Sequence, residues 1–300
     1  MTEPLPPGRH LISLTHDGLD RPYLLQVPAT QAAASASSAA APASAASVPL
    51  VLELHGRGIE AARFDQLTGF GALAGEAGFA LAMPQAVGEI WNDGRDAAPE
   101  RLRPDDVGYL TAVIDDASAR APIDARRVYV VGMSNGAAMA ARLTCERADR
   151  IAGLGQVAGT AGVSVAAAWH PARPVPILSI HGSGDNVAPY LGGVRRGLRG
   201  RIMIRRAIAA SVGLDDWARF WVAANGATDG PSVSNLPPDT TIRSWHGPSP
   251  ASDVVFYRIE SGGHTWPGSH IPLPAFLFGR TSRTFDAARV IWEFFRTHGG

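Results

Sequence analysis

Cysteine is almost missing from this chain. Cys145 stands alone among 300 residues, which excludes an internal disulfide. Neither sign of charge prevails, with 27 basic and 27 acidic residues, and that balance argues against nucleic acid as the main partner. No apolar run reaches the roughly eighteen residues of a membrane span. The first residues carry Glu3 and the prolines Pro4, Pro6 and Pro7 with no apolar core of signal-peptide length, so a cytoplasmic location is expected on that basis. No G-x-G-x-x-G follows a strand-like run, and no P-loop is present. No H-x-x-x-H helix and no His/Cys cluster has metal-ligand spacing. The expectation is therefore a protein with no cofactor, no metal and no membrane or nucleic-acid partner.

What the chain does have is organised around Arg127 to Arg142, RVYVVGMSNGAAMAAR. Val128-Tyr129-Val130-Val131 has the composition of a buried strand. Ala137 to Arg142 is built of good helix formers. Between them lies Gly132-Met133-Ser134-Asn135-Gly136, a G-x-S-x-G pentapeptide. On a sharp strand-to-helix turn, side chains at Gly132 and Gly136 would collide with the flanking backbone. The Ser134 hydroxyl then stands exposed, and the next N–H points where an oxyanion forms. The pentapeptide alone also fits a tight structural turn; the strand before it and the helix after it favour a nucleophile.

Elsewhere, apolar runs alternate with helical periodicity. His10 to Val27 reads as one or two edge strands. Pro49 to Leu54, Phe79 to Met83, Ile151 to Val157, Val175 to Ile180 and Val254 to Ile259 read as further strands. Helices are expected over Phe64 to Gly78, Asp105 to Arg120, Leu214 to Ala224 and Thr284 to Thr297. This order predicts an α/β fold with a mainly parallel central sheet covered by helices on both faces. One catalytic domain over residues 1–300 is expected, interrupted at 28–48 by an Ala/Ser-rich loop with too few apolar side chains to offset its ordering entropy. The arginine-rich stretch 192–206 reads as a solvated face, or less simply as a carboxylate-binding rim.

Ligands in such sheets bind at the carboxyl ends of the strands. Ser134, Asp185, His264 and the His55-Gly56-Arg57-Gly58 turn each follow an expected strand. A serine needs a base within reach, and the base an orienting acid. Among nine histidines, His264 sits in a Gly-Gly loop after the last strand, and Asp185 completes the chain order Ser, Asp, His. His181 is read as holding the Asp185 loop, and His55 as shaping the oxyanion turn and bordering substrate. The backbone N–H groups of Arg57 and Asn135 are the expected oxyanion donors. Trp91 and Trp266 either wall the pocket or pack in the core. Asp105 and Asp106 are rivals for the acid, but both read as cap and dipole partners of a helix start. Cys145 reads as a buried structural thiol.

The chain resembles the polyhydroxybutyrate depolymerase and feruloyl esterase family of α/β-hydrolases from about Arg21 onward. The landmarks are Leu54-His55-Gly56, Trp91-Asn92-Asp93-Gly94-Arg95, Asp105 to Leu110, Asp124 to Tyr129, Gly132 to Gly136, His181 to Asp185 and Gly263 to Gly268. The resemblance implies Ser134 as nucleophile, Asp185 as acid and His264 as base. It also implies cofactor-free hydrolysis of carboxylic esters through an acyl-enzyme. Arg57 departs from the small residue or cysteine of many relatives, paired cysteines are missing, and no polymer-binding module is visible. These departures favour small soluble or oligosaccharide esters, of short acyl or hydroxycinnamoyl type, over solid polymer. Relatives are often secreted. A hydroxybutyrate oligomer hydrolase is the near alternative; a peptidase of the same fold and a non-catalytic binding module are the more distant ones.

Overall fold

The computed structural model describes residues 3–29, 47–95, 103–193 and 210–299. Among these, ten strands form one sheet: β1 (Gly8–His16), β2 (Leu19–Val27), β3 (Val48–Leu54), β4 (Ala80–Pro84), β5 (Ile123–Met133), β6 (Gly153–Val157), β7 (Ile177–Gly182), β8 (Asp229–Leu236), β9 (Thr240–His246) and β10 (Val254–Ile259). Their spatial order is β1-β2-β4-β3-β5-β6-β7-β10-β9-β8. From β4 to β10 every pairing is parallel. The two edges are antiparallel, with β1 and β2 on one side and β9 and β8 on the other. Most of the Ala/Ser-rich tract and of the 192–206 arginine stretch lies outside the described residues.

The longer helices are α1 (Ala61–Thr68), α2 (Phe70–Ala77), α3 (Asp106–Arg120), α4 (Asn135–Glu146), α5 (Leu214–Asn225) and α6 (Ala287–His298). The parallel strands are buried on both faces, so their side chains alternate between two cores. Leu50, Leu52 and Leu54 of β3 pack with Leu110, Met139 and Trp217. Val51 points the other way, toward Phe64, Phe70, Ile291 and Phe295. Each such side chain contributes about 1.5–3 kcal/mol by leaving water, so the sheet is clamped from both sides.

Three differences from the sequence reading have local causes. The helix expected over Phe64 to Gly78 is two helices, because Gly69 adopts φ 77° and its N–H closes onto Asp65 O. Asp65 then accepts from Gly71 N, and Thr68 Oγ from Phe70 N, which restarts the chain as α2. The hairpin of β8 and β9 carries Pro231, Pro237 and Pro238, and β8 is exposed along almost its whole length, so it lacks the apolar alternation of a strand. Finally, Asp105 caps α3 through Gly108 N at 2.9 Å and Asp106 lies in its first turn, as expected, but Asp106 is fully buried. Its carboxyl is sealed from solvent, lies 2.6 Å from Arg21 Nη2 and accepts Asn92 N at 2.6 Å.

Candidate active site

Ser134 occupies the turn between β5 and α4 at φ 58°, ψ −119°, a conformation few L-residues adopt. Crowding enforces it. A Cβ on Gly136 would sit 2.2 Å from Leu54 O, and one on Gly132 2.4 Å from Gly136 O. The turn is tied to the sheet by Ser134 N donating to Val157 O at 2.9 Å. Strain of this kind, held by surrounding structure, presents the side chain away from the sheet.

Asp185 follows β7. Its Oδ1 accepts from Val187 N at 2.7 Å and Ala188 N at 2.8 Å, which fixes the carboxylate plane. Its Oδ2 accepts from His264 Nδ1 at 2.7 Å. Burial alone raises the Asp185 carboxyl, but the adjoining His264, its hydrogen bond, and His181 hold it below the usual carboxylate value. His181 donates from Nε2 to Ala188 O at 2.9 Å and lies 3.5 Å from Asp185 Oδ2, so it braces the loop as expected. Burial depresses its own pKa, and the Asp185 charge opposes that.

His264 follows β10, with its N–H on Phe278 O at 2.6 Å. With Nδ1 held by Asp185, Nε2 is the nitrogen left for proton traffic. Ser134 and His264 border the same cavity, about 560 Å³ in volume. Arg57 and Gly58 of the turn after β3 border it too, as do Phe64, Leu67 and Phe278. Arg57 thus borders the same cavity as Ser134, and Asn135 directly follows Ser134 in the chain. Arg63, Glu60 and Glu89 add charge to the wall.

The three side chains expected to touch substrate do not border this cavity. Trp91 is sealed, its ring 5.1 Å from His55 and its Nε1 donating to His55 O at 2.9 Å. Trp266 is equally sealed, edge-on to Phe64 and Phe70 at 5.9 and 6.0 Å. The packing alternative holds for both, because these rings fill the core beneath the turns rather than the opening above them. His55 is buried as well. It holds its turn, donating from Nδ1 to Gly56 O at 2.8 Å and accepting Ala86 N at Nε2 at 3.0 Å, but it cannot meet substrate. Burial lowers its pKa to about 4, so the ring is neutral.

The aromatic wall comes instead from Phe64 of α1 and Phe278. Phe64 belongs to the core cluster and also borders the cavity, since α1 follows the turn at the carboxyl end of β3. The buried side chains of Asn135 and Asp93 meet beside the Ser134 turn, with Asn135 Nδ2 donating to Asp93 Oδ2 at 2.7 Å, a contact between positions 42 apart that no local pattern signals. Cys145 is buried and its thiol is pushed up by that burial. Among the described residues no three His, Cys, Asp or Glu side chains are grouped to hold a metal ion. No helix among them is long and apolar enough to cross a membrane.

Comparisons with known proteins place the chain among esterases. A family model described as esterase PHB depolymerase matches residues 35–173. Over 255 residues the chain is 31% identical to the proposed esterase NocK of Nocardia uniformis subsp. tsuyamanensis, covering 82% of this chain and 73% of that one. It is 28% identical over 180 residues to feruloyl esterase B of Piromyces equi, covering 59% of this chain but only 31% of that longer protein. The acetyl xylan esterase structure from Aspergillus awamori superposes with a TM-score of 0.56 at 12% identity, covering 85% of this chain and 94% of that one, which shows a shared fold.

Proposed function

The chain belongs to the PHB depolymerase and feruloyl esterase family of α/β-hydrolases and is a carboxylic-ester hydrolase, and from that premise we propose that Ser134 is its nucleophile, His264 its base and Asp185 the acid that orients the base. The observation that carries this reading is the buried His264–Asp185 contact at 2.7 Å, opening onto the cavity that also holds Ser134.

In the proposed cycle Ser134 Oγ attacks the ester carbonyl while His264 Nε2 takes its proton. Asp185 fixes the imidazole tautomer and stabilises the imidazolium. The N–H groups of Arg57 and Asn135 receive the negative oxygen. Collapse expels the alcohol, which takes the proton from His264, and leaves an acyl group on Ser134. Water, deprotonated by the same histidine, then releases the acid and regenerates the hydroxyl.

The acyl groups proposed are short aliphatic and hydroxycinnamoyl ones. Phe64 and Phe278 on the cavity wall support an aromatic acid, and the similarity to feruloyl esterase B points the same way. A second reading, hydrolysis of hydroxybutyrate oligomers, is supported by the description of the matching family and by Arg57 and Arg63 on the wall, suited to a terminal carboxylate. Initial rates on p-nitrophenyl acetate, p-nitrophenyl butyrate, methyl ferulate and a hydroxybutyrate oligomer, each with Ser134→Ala as control, separate the two. Ferulate turnover that the variant loses supports the first reading. Oligomer turnover without ferulate turnover replaces it with the second.

A further inference from the structure

We infer that the run Trp91-Asn92-Asp93 clamps both halves of the oxyanion hole, with Asp93 and Trp91 as positioning residues; the inference rests on the esterase reading above. Two N–H donors stabilise an oxyanion only when they are aimed before the charge appears, because reorganising them during the reaction costs what they contribute. The donors here belong to different elements. Asn135 opens α4, and Arg57 lies in the turn after β3. Something must hold the two in one geometry.

The side chain of Asn135 makes three hydrogen bonds, and all go to this run. Its Oδ1 accepts from Trp91 N at 2.8 Å. Its Nδ2 donates to Trp91 O at 3.1 Å and to Asp93 Oδ2 at 2.7 Å. Both amide hydrogens and the carbonyl are thereby used, which leaves the side chain a single orientation. The other half is reached by the Trp91 ring, whose Nε1 donates to His55 O at 2.9 Å, two residues before Arg57. The run is anchored in turn: Asn92 N donates to Asp106 at 2.6 Å, Asn92 Nδ2 to Pro104 O at 2.9 Å, and Arg142 to Asn92 O at 2.7 Å. Trp91, Asp93 and Asn135 are all buried, so water does not compete for these bonds.

A carboxylate beside the hole has an electrostatic disadvantage, since it opposes the developing charge. Arg95 answers it. Its Nε donates to Asp93 Oδ2 at 2.9 Å and its Nη2 to the same oxygen. The pair is close to neutral, and Asp93 keeps its role as a strong acceptor for Asn135.

The test uses the whole protein with p-nitrophenyl butyrate. Asp93→Ala is expected to lower kcat by about 10- to 100-fold, less than or comparable to deleting an oxyanion donor outright. Inhibition by a trifluoromethyl ketone, which forms the tetrahedral adduct, should weaken in parallel. Ester affinity measured in the Ser134→Ala background should change by less than about twofold when Asp93→Ala is added, because ground-state binding does not use the clamp. Asp93→Asn retains an acceptor and should recover to within about tenfold of the parent. Trp91→Phe keeps an aromatic ring and removes one hydrogen bond, so its kcat should drop several-fold; it carries the test if Asp93→Ala does not fold. Unaltered kcat in folded Asp93→Ala or Trp91→Phe at unchanged Tm overturns the inference, as does an ester affinity that falls as far as kcat/KM. Absence of Ser134-dependent turnover in the parent removes the esterase reading and the clamp with it, whereas normal parent turnover with normal kcat in folded Asp93→Ala or Trp91→Phe removes the clamp alone.

Discussion

His264 and Asp185 meet through a 2.7 Å hydrogen bond although 79 positions separate them in the chain. Two parallel neighbours, β7 and β10, end side by side and deliver them. Asp185→Asn should keep the fold, since Oδ1 still accepts from Val187 N and Ala188 N. It should reduce kcat by about 10⁴-fold, because the imidazole loses its tautomer and its counter-charge. Ester kinetics with circular dichroism as the folding check decide it. Near-normal turnover, or a larger loss in a folded Asp106→Asn, transfers the acid role elsewhere.

Gly136→Ala is expected to be poorly tolerated. The added methyl would lie 2.2 Å from Leu54 O and 2.5 Å from His55 O, both backbone atoms of β3 and its turn. Overpacking of that sort costs about 1–3 kcal/mol where side chains can yield, and backbone yields less. Denaturant unfolding should show a loss at or above that range, with activity falling further because the Ser134 turn moves. A variant as stable and active as the parent contradicts the crowded-turn account.

Glu53 and His55 on one stretch of chain should limit stability from opposite sides of the pH scale. Burial, with Asp65 adding to it, raises the Glu53 carboxyl well above its usual 4.5, and the Thr68 hydrogen bond only partly offsets this. An acid with a raised folded pKa binds its proton more tightly when folded, so its contribution is complete below about 4.5 and is lost as pH rises toward the folded value. The slope is about 1.4 kcal/mol per pH unit. His55 acts in the opposite sense: its folded pKa of about 4 lies below its usual 6.5, so its contribution is lost as pH falls through that interval. Glu53→Gln should therefore be more stable than the parent at pH 8, with the difference shrinking toward pH 4.5 in parallel urea titrations. A pH-independent difference rejects a neutral Glu53.

What could be read in the sequence was whatever local chemistry dictates. The strand, turn and helix around Ser134 lie within sixteen consecutive residues, so composition and the two glycines suffice. The parallel centre follows from apolar runs alternating with helical ones. The order of Ser134, Asp185 and His264, each just past a strand, places them at one sheet edge before any distance is known. Trp91 and Trp266 were not decidable in this way. A tryptophan beside a catalytic turn has the same identity whether it faces the opening or the core, and only tertiary packing chooses. Asp106 is a similar case, since its partner Arg21 is brought to it from β2 by the sheet. The hairpin of β8 and β9 escaped because its backbone pairing, not an apolar pattern, makes it a strand.

Whether Ser134 carries the acyl group is decided by labelling. The protein is treated with a p-nitrophenyl phosphonate, digested and mapped by mass spectrometry, beside Ser134→Ala. One phosphonyl group per chain is expected, on the peptide containing Ser134, with esterase activity lost in proportion to label and with neither label nor turnover in folded Ser134→Ala. Label on another residue, or esterase turnover that survives in Ser134→Ala, would contradict the nucleophile assignment.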